Sequence, residues 1–281
     1  MKSIISCTAD EKYSYFIPIV TWTWNKLGVG VVLFLPESSK GDEKIQLGLN
    51  CMNYGYKENQ HYYFDMPKHK EATAAQCVRL YGACLDLPED EVLVTSDIDM
   101  ALFKIPEYVK GTFSVFGADL VPDGQVPICY LTATVKQWRD TFNLRYGVLA
   151  AEPIDAIALV MTRTYQQCLD ELLGGIECEN MRGNYWSKDQ QEAHDKIFNN
   201  RLSHTEIKRA RPNTQFADHR VDRDDVNWRS YVNDELIDAH LWRPGYTDEN
   251  HDNIMELMRM KFPDEDFTWL ENYRNAYKQL L

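Results

Sequence analysis

Ser3-Ile-Ile-Ser-Cys-Thr8 and Gly30-Val-Val-Leu-Phe-Leu35 are two short apolar runs on either side of Tyr13 to Leu27, a long aromatic-rich stretch stopped by Gly28. Apolar runs of this length read as buried strands, and the stretch between them reads as a helix with a glycine C-terminal stop. Pro36 ends the second strand. Strand, helix, strand at the start of a chain implies a parallel pair, because parallel neighbours need a crossover and a helix supplies one. The expected class is α/β: a Rossmann-like, mixed but mostly parallel sheet flanked by helices, with further helices at the C-terminus.

Working outward, His61 to Phe64 reads as a third strand, while Glu37 to Gly55 is polar and glycine-bearing with weak periodicity. Pro67 suits a first helical turn, and Glu71 to Leu85 continues as a helix broken by Pro88-Glu89-Asp90. Glu91-Val-Leu-Val-Thr-Ser96 is the next buried strand. Thr112 to Leu120 and Val126 to Thr134 follow as strands. Ile154, Ile157, Ala158, Met161, Tyr165, Cys168 and Leu172 recur at spacings of three and four, predicting one amphipathic helix closed by Gly174-Gly175. Ser187 to Arg201 reads as a helix with a Ser187–Gln190 capping box. Arg209 to Trp228 is polar and irregular, and Val232 to Trp242 reads as a strand leading into a loop. Asn250 to Phe262 and Phe267 to Leu281 read as two terminal helices parted by Pro263-Asp264. The expected organisation is one main domain over 1–246, then a helical extension over 247–281.

The 281 residues carry a formal net charge of -13. A chain this acidic does not hold nucleic acid or an anionic membrane through its bulk field, so an anionic small ligand needs a local cationic device such as a metal ion. The seven cysteines (Cys7, Cys51, Cys77, Cys84, Cys129, Cys168 and Cys178) form no CxxC pair, which reads as reduced thiols rather than a disulfide framework. No apolar run reaches the roughly 20 residues that span a bilayer. Met1 to Asp10 runs into Glu11-Lys12 and is not a signal peptide. The expectation is a soluble, cytoplasmic protein in a bacterial, viral or cytosolic setting.

The chemistry concentrates in four places. Asp97-Ile98-Asp99 ends a buried strand, where open α/β sheets bind ligands. Two carboxylates there can meet one Mn²⁺ or Mg²⁺, directly or through water, with Ile98 directed to the core. Such a cation would neutralise a departing diphosphate. Thr8, Asp10, Tyr13 and Tyr15 follow the first strand: Thr8 and Asp10 can hydrogen-bond a base edge and a tyrosine can stack on it, or Asp10 caps the helix and the tyrosines pack. Asn184-Tyr-Trp-Ser-Lys-Asp189-Gln190 sets an aspartate in a first helical turn after aromatics able to line a sugar site, a position the helix dipole also favours. His240-Leu-Trp-Arg243-Pro-Gly-Tyr246 offers a histidine as a third metal ligand and Arg243 for phosphate, or a structural histidine.

Together these segments resemble the GT-A glycosyltransferases, especially the family 8-like and related retaining enzymes, loosely over residues 3 to 246. The resemblance implies that 1–246 is a catalytic domain, with a nucleotide-sugar-binding half (1–135) and an acceptor half (136–246). The order matches: Thr-x-Asp-x-x-Tyr after the first strand, D-x-D after a central strand, Trp-x-x-Asp-Gln, then a late histidine before a Pro-Gly turn. The resemblance implies a Mn²⁺- or Mg²⁺-dependent hexosyltransferase using a UDP-sugar or other nucleoside-diphosphate sugar, with a glycan, glycoprotein or small-molecule acceptor. It implies that Asp97 and Asp99 hold the metal and touch the donor ribose, and that His240 completes the metal site. Thr8, Asp10 and Tyr13 would contact the base, Arg79 would point at the donor, and Asp189 and Gln190 would face the transferring sugar or the acceptor. The late histidine favours retention of configuration. In an inverting enzyme Asp189 would be the general base. The chain departs from the family where His240 is followed by Arg243-Pro244-Gly245 in place of His-x-x-Gly with a later Lys-Pro-Trp.

Other classes fit less well. Haloacid-dehalogenase phosphatases need their aspartates after the first strand, and nucleotidyltransferases need a glycine-rich, arginine-bearing loop there. No Gly-x-Gly-x-x-Gly or P-loop occurs. A binding or scaffold protein that kept the fold without turnover is the non-enzyme alternative.

Overall fold

The structure is a computed structural model that describes residues 1–53, 58–105, 113–116, 124–148, 159–174, 187–199, 205–208, 220–230 and 236–281. Its centre is a seven-stranded sheet in the order β10-β6-β7-β4-β1-β2-β3, built from β1 (Lys2–Ser6), β2 (Gly30–Pro36), β3 (Gln60–Phe64), β4 (Val92–Thr95), β6 (Phe113–Phe116), β7 (Leu131–Thr134) and β10 (Thr205–Lys208). β1 pairs in parallel with β2 and β4, β2 with β3, and β6 with β10. β7 lies antiparallel between β4 and β6, so it alone runs against the other strands of this sheet. The fold is mixed α/β with a mostly parallel sheet flanked by helices, as the opening strand–helix–strand run implies.

The continuous apolar runs have a direct cause. Ile5, Val31, Leu33 and Leu35 face one hydrophobic cluster, while Ile4, Val32 and Phe34 face the other, so alternation along each strand buries both faces. The first cluster takes in α2 (Ile17–Lys26), α3 (Glu43–Met52), α8 (Asp248–Lys261) and α9 (Thr268–Lys278). The second takes in α4 (Glu71–Val78), α5 (Val135–Thr141), α6 (Tyr165–Leu173) and α7 (Lys188–Asn199). Gly82 lets the segment after α4 lie on the sheet: a Cβ there would sit 3.0 Å from Ile4 side-chain carbons. A second sheet, β11-β12-β5, comprises β11 (Arg220–Val221), β12 (Asp238–His240) and β5 (Met100–Leu102), and β8 (Arg145–Val148) pairs with β9 (Leu159–Thr162).

Several elements differ from the sequence reading. The opening helix is split: Asp10 caps a short α1 (Glu11–Ser14), and α2 restarts at Ile17 with Pro18 in its first turn. Glu37 to Gly55 conceals α3, capped by Asp42 through Lys44 N (2.9 Å) and Ile45 N (3.1 Å). Its buried face, Ile45, Gly48, Leu49 and Met52, has helical spacing. Gly48 weakens the apolar signal while letting α3 close on Ile17, 3.3 Å from where its Cβ would be.

The single helix expected through Ile154–Leu172 is corrected. Leu159–Thr162 is a strand antiparallel to Arg145–Val148, and α6 begins only at Tyr165, where Thr164 and Gln167 form a capping box. β-Branched Val160 and Thr162 favour the strand, and the three–four spacing across it was coincidental. Ile154, Ile157 and Ala158 lie outside the described residues. The helix expected over Glu71–Leu85 is α-helical only to Val78 and continues as a 3₁₀ segment, Arg79–Cys84. Of Val126–Thr134, only Leu131–Thr134 is strand. Among the described residues no helix is long and apolar enough to cross a membrane.

Candidate active site

β2 and β3 are laid down on one side of β1, and β4 on the other. The carboxyl ends of β1 and β4 are therefore the sheet's switch point, and open α/β sheets bind ligands in the crevice beyond such strand ends. Cys7 N still bonds Phe34 O (3.0 Å) and Ser96 N bonds Ile4 O (3.1 Å), so both strands stay registered up to the edge of the crevice. Thr8, Asp10 and Tyr13 leave β1 on one side of it, and Asp97 to Asp99 leave β4 on the other.

The chain then turns. Met100 N bonds Asp97 O at 3.2 Å, and β5 runs out to pair antiparallel with β12 in a register that sets His240 opposite Met100. Leu241 N bonds Asp99 O at 2.8 Å. This pairing, rather than any nearness in sequence, brings His240 Nε2 to 3.2 Å from Asp99 Oδ2. β12 is itself anchored by a buried carboxylate. Asp238 accepts from Arg220 Nε (2.8 Å) and Nη2 (2.7 Å) and from the Tyr130 hydroxyl (2.7 Å). Tyr130 has a left-handed backbone, φ 68°, a conformation that side chains other than glycine seldom adopt without surrounding support.

Asp97 and Asp99 face different partners. Arg79 donates to Asp97 Oδ1 through Nη1, to Ser96 O through Nη1 (2.9 Å), to Gln76 O through Nε (3.1 Å), and to Asp189 Oδ2 through Nη2 (3.1 Å). Cys129 Sγ donates to Asp97 Oδ2 at 2.7 Å. Asp189, at the start of α7, is buried, with Oδ1 accepting from Gln190 N (2.8 Å). Arg79 thus joins Asp97, whose side chain keeps 39% exposure, to the buried Asp189. Asp99, the more buried of the two, instead meets Arg223 Nη1 at 3.2 Å, Arg243 Nε at 3.3 Å and the His240 imidazole. Arg243 also donates to the Tyr13 hydroxyl and lies 4.8 Å from the centre of its ring. Thr8 Oγ1 accepts from Asp10 N (3.4 Å), and Asp10 Oδ1 accepts from Lys12 N (2.9 Å), so Asp10 caps α1. Ile98 is buried in the core, as its place between the two aspartates suggests.

Acidities follow these surroundings. Burial and then the charge of Asp97 push the Asp99 carboxyl up, against the pull of His240 and Arg243. Burial also pushes on Asp97, but Arg79 and the Cys129 hydrogen bond hold it below the usual range. Burial raises Asp189, with Arg79 opposing.

Among the described residues no group of three or more His, Cys, Asp or Glu side chains is arranged to hold a metal ion. The pair Asp99 and His240 nevertheless fits one: neighbouring ligands of an octahedral cation stand about 3 Å apart, and Mg²⁺-type sites commonly use one or two protein ligands with water and substrate phosphates. Asp97 is committed to Arg79 and Cys129. Asn184, Tyr185 and Trp186 lie outside the described residues. Cavities of about 640 Å³ between α8 and α9 and about 180 Å³ beside Cys168 do not touch Asp97, Asp99 or Asp189.

The sequence reading missed Arg223, Cys129, and the Arg220–Asp238–Tyr130 anchor. Arg223 lies in the segment Arg209–Trp228, whose only signal is density of charge. Cys129 and Tyr130 looked like ordinary strand residues.

Two solved structures of the galactosyltransferase LgtC are similar to the chain. One, in complex with donor and acceptor sugar analogs, aligns over 97% of this chain and 100% of its own, with 8% identity and a TM-score of 0.44. The other, of an LgtC active-site mutant, covers 93% of this chain and 100% of its own, with 10% identity and a TM-score of 0.45. No protein-family model matches the chain, and no curated protein matches its sequence. Likeness this distant assigns no residue and no activity to the chain.

Proposed function

We propose that the chain is a glycosyltransferase that moves a sugar from a nucleoside-diphosphate sugar, with UDP as the leading choice of nucleotide, to a glycan, glycoprotein or small-molecule hydroxyl. The observation that carries this reading is the Asp99–His240 pair at the switch point between β1 and β4, with Arg223 and Arg243 on the same Asp99 oxygen. Asp99 and His240 would hold Mn²⁺ or Mg²⁺. When bound, the cation would offset the charge on the departing diphosphate.

The chain's own residues divide the remaining work. Thr8, Asp10 and Tyr13 would line the nucleotide side of the crevice. Asp189, closed under Arg79 and buried, suits a positioning role better than that of a free base, so retention is the favoured outcome. In that course the bond from the sugar's anomeric carbon to the diphosphate oxygen breaks, and one to the acceptor oxygen forms on the same face. The acceptor proton passes to the departing phosphate oxygen. Gln190 would face the transferring sugar.

One observation favours a second reading. Asp97 and Asp189 have their carboxylates tied into internal hydrogen bonds, as a binding protein without turnover would tolerate. Nucleotide release from a panel of UDP- and GDP-sugars separates the two, run with and without Mn²⁺ on wild type and Asp99→Ala. Metal-dependent release that Asp99→Ala abolishes supports transfer chemistry. Binding of a donor with no release under any metal supports the binding protein.

A further inference from the structure

Cys84 closes the 3₁₀ segment Arg79–Cys84, and Cys168 lies in the first half of α6. The two are 84 positions apart in the chain, yet their Sγ atoms stand 3.9 Å from each other and both thiols are free. Each cysteine is held by anchors of its own. Arg139 donates to the carbonyls on either side of Cys84, to Ala83 O through Nε (2.9 Å) and to Leu85 O through Nη2 (3.0 Å). α6 is tied at both ends: the Tyr165 hydroxyl donates to Tyr63 O (2.8 Å) and Lys70 Nζ to Leu173 O (2.8 Å). A disulfide sets its sulfurs about 2 Å apart, so about 2 Å remains to be closed, the scale of a cysteine side-chain rotation rather than of a backbone rearrangement.

The pair can be reached, and it is asymmetric. Cys168, itself 4% exposed, borders the cavity of about 180 Å³, with Arg163, Lys196, Glu171 and Glu192 also on its wall. A water molecule takes about 30 Å³ of the liquid, so a small peroxide fits beside the sulfur. The contact with Cys84 lowers the Cys168 thiol, burial opposes this, and Arg163 adds to the lowering. The same contact, followed by burial, raises Cys84. Cys168 is the readier thiolate and Cys84 keeps its proton, the arrangement of an oxidisable cysteine beside a resolving one.

We infer that Cys84 and Cys168 form a modification site at which hydrogen peroxide oxidises Cys168 and the pair closes to a reversible disulfide between α6 and the 3₁₀ segment. In the first step the Cys168 thiolate attacks a peroxide oxygen, the O–O bond breaks, and Cys168 becomes a sulfenic acid. The departing hydroxide takes up the proton that the thiol gave up and leaves as water. In the second step the Cys84 sulfur attacks the sulfenic sulfur, the S–O bond breaks, and the hydroxyl leaves as water with the Cys84 proton. The two sulfurs lose two electrons and the peroxide gains them. A dithiol reductant restores both thiols by exchange. Because Arg79 opens the segment that Cys84 closes, the cross-link braces the segment that carries the Asp97–Asp189 junction. Nothing in this depends on the glycosyltransferase reading.

The test uses the full chain, reduced and then treated with hydrogen peroxide, as wild type, Cys84→Ser and Cys168→Ser. Non-reducing tryptic maps by mass spectrometry are expected to show the Leu80–Lys104 peptide linked to the peptide beginning at Thr164, with fragment spectra placing the bond on Cys168 rather than Cys178 of the same peptide. In Cys84→Ser, dimedone should label Cys168, because the sulfenic acid has no resolving thiol; in Cys168→Ser, Cys84 should stay unlabelled. A bond that closes a loop of 84 positions restricts the unfolded chain, and over 281 residues it should raise the wild-type Tm by about 5 °C. Dithiothreitol should reverse the rise, and neither variant should show it. A bond from either cysteine to another partner, thiols that both remain open to alkylation after peroxide, Cys168 carried to the sulfinic acid without a cross-link, or a Tm that does not rise with the cross-link formed would each overturn the inference. Should the Ser variants fail to fold, the wild-type fragment spectra and melts decide it.

Discussion

Asp238 is the residue on which the site's geometry turns, and its removal gives a calculable effect. Its carboxylate is fully buried and holds Arg220 in a two-pronged pair while accepting from Tyr130. Asp238→Ala would leave a guanidinium and a hydroxyl without their partner. Removing one partner of a buried pair costs about 3–5 kcal/mol. The Arg220 side chain keeps 26% exposure, so water relieves part of this and about 3 kcal/mol is the expected loss. At about 2.1 cal/mol/K per residue, 281 residues unfold with an entropy near 0.6 kcal/mol/K, so Tm should fall by about 5 °C. Asp238→Asn keeps the shape and one acceptor and should lose roughly half as much. Calorimetric melts of the two variants, of Arg220→Ala and of the double variant would measure this. A drop below about 1 °C for Asp238→Ala, or single losses that simply add in the double variant, would refute the anchoring role.

Other outcomes follow from single contacts. Gly245→Ala would put a Cβ 2.7 Å from ring carbons of Tyr15 and Phe16, so urea unfolding should show a loss of about 1–3 kcal/mol, and an unchanged midpoint would contradict this packing. Arg79→Lys keeps the charge but not the fork that joins Asp97 to Asp189, so sugar transfer should fall at least about tenfold while Mn²⁺ affinity changes little; equal loss of both would show that Arg79 supports the cation instead. His251 is buried and hydrogen-bonded to the Tyr15 hydroxyl at 2.9 Å, and burial followed by Arg274 lowers its pKa from 6.5 to about 4. Because the folded value lies below the unfolded one, its contribution is fully present above about pH 6.5 and is lost as pH falls towards about 4. Wild type should be about 1–2 kcal/mol less stable at pH 5 than at pH 7 through this group, and a His251→Phe chain that shows the same acid loss would exclude it.

The sheet was legible because its strands are buried on both faces, which leaves uninterrupted apolar runs such as Gly30 to Leu35. The position of Asp97 and Asp99 was legible for a related reason: aspartates placed directly after a buried strand emerge at its carboxyl edge. α3 was hidden because Gly48, required for close packing on Ile17, interrupts its apolar stripe. The strand–helix junction near residue 163 was misread because Met161, Tyr165 and Cys168 happen to keep helical spacing across a change of element. Partners of the aspartates were harder still. Arg79 meets Asp97 from 18 residues away, Arg223 meets Asp99 from 124, and Cys129 meets Asp97 from 32. Such pairings are set by strand order and by the β5–β12 register, and no local pattern encodes them.

The most direct measurement is a crystal structure of the full chain soaked with Mn²⁺ and UDP, with data collected at a wavelength where manganese scatters anomalously. The expected result is an anomalous peak within coordination distance of Asp99 and His240, with UDP in the crevice between β1 and β4 and its diphosphate against the cation. A nucleotide bound elsewhere, or manganese that avoids both Asp99 and His240, would contradict the account.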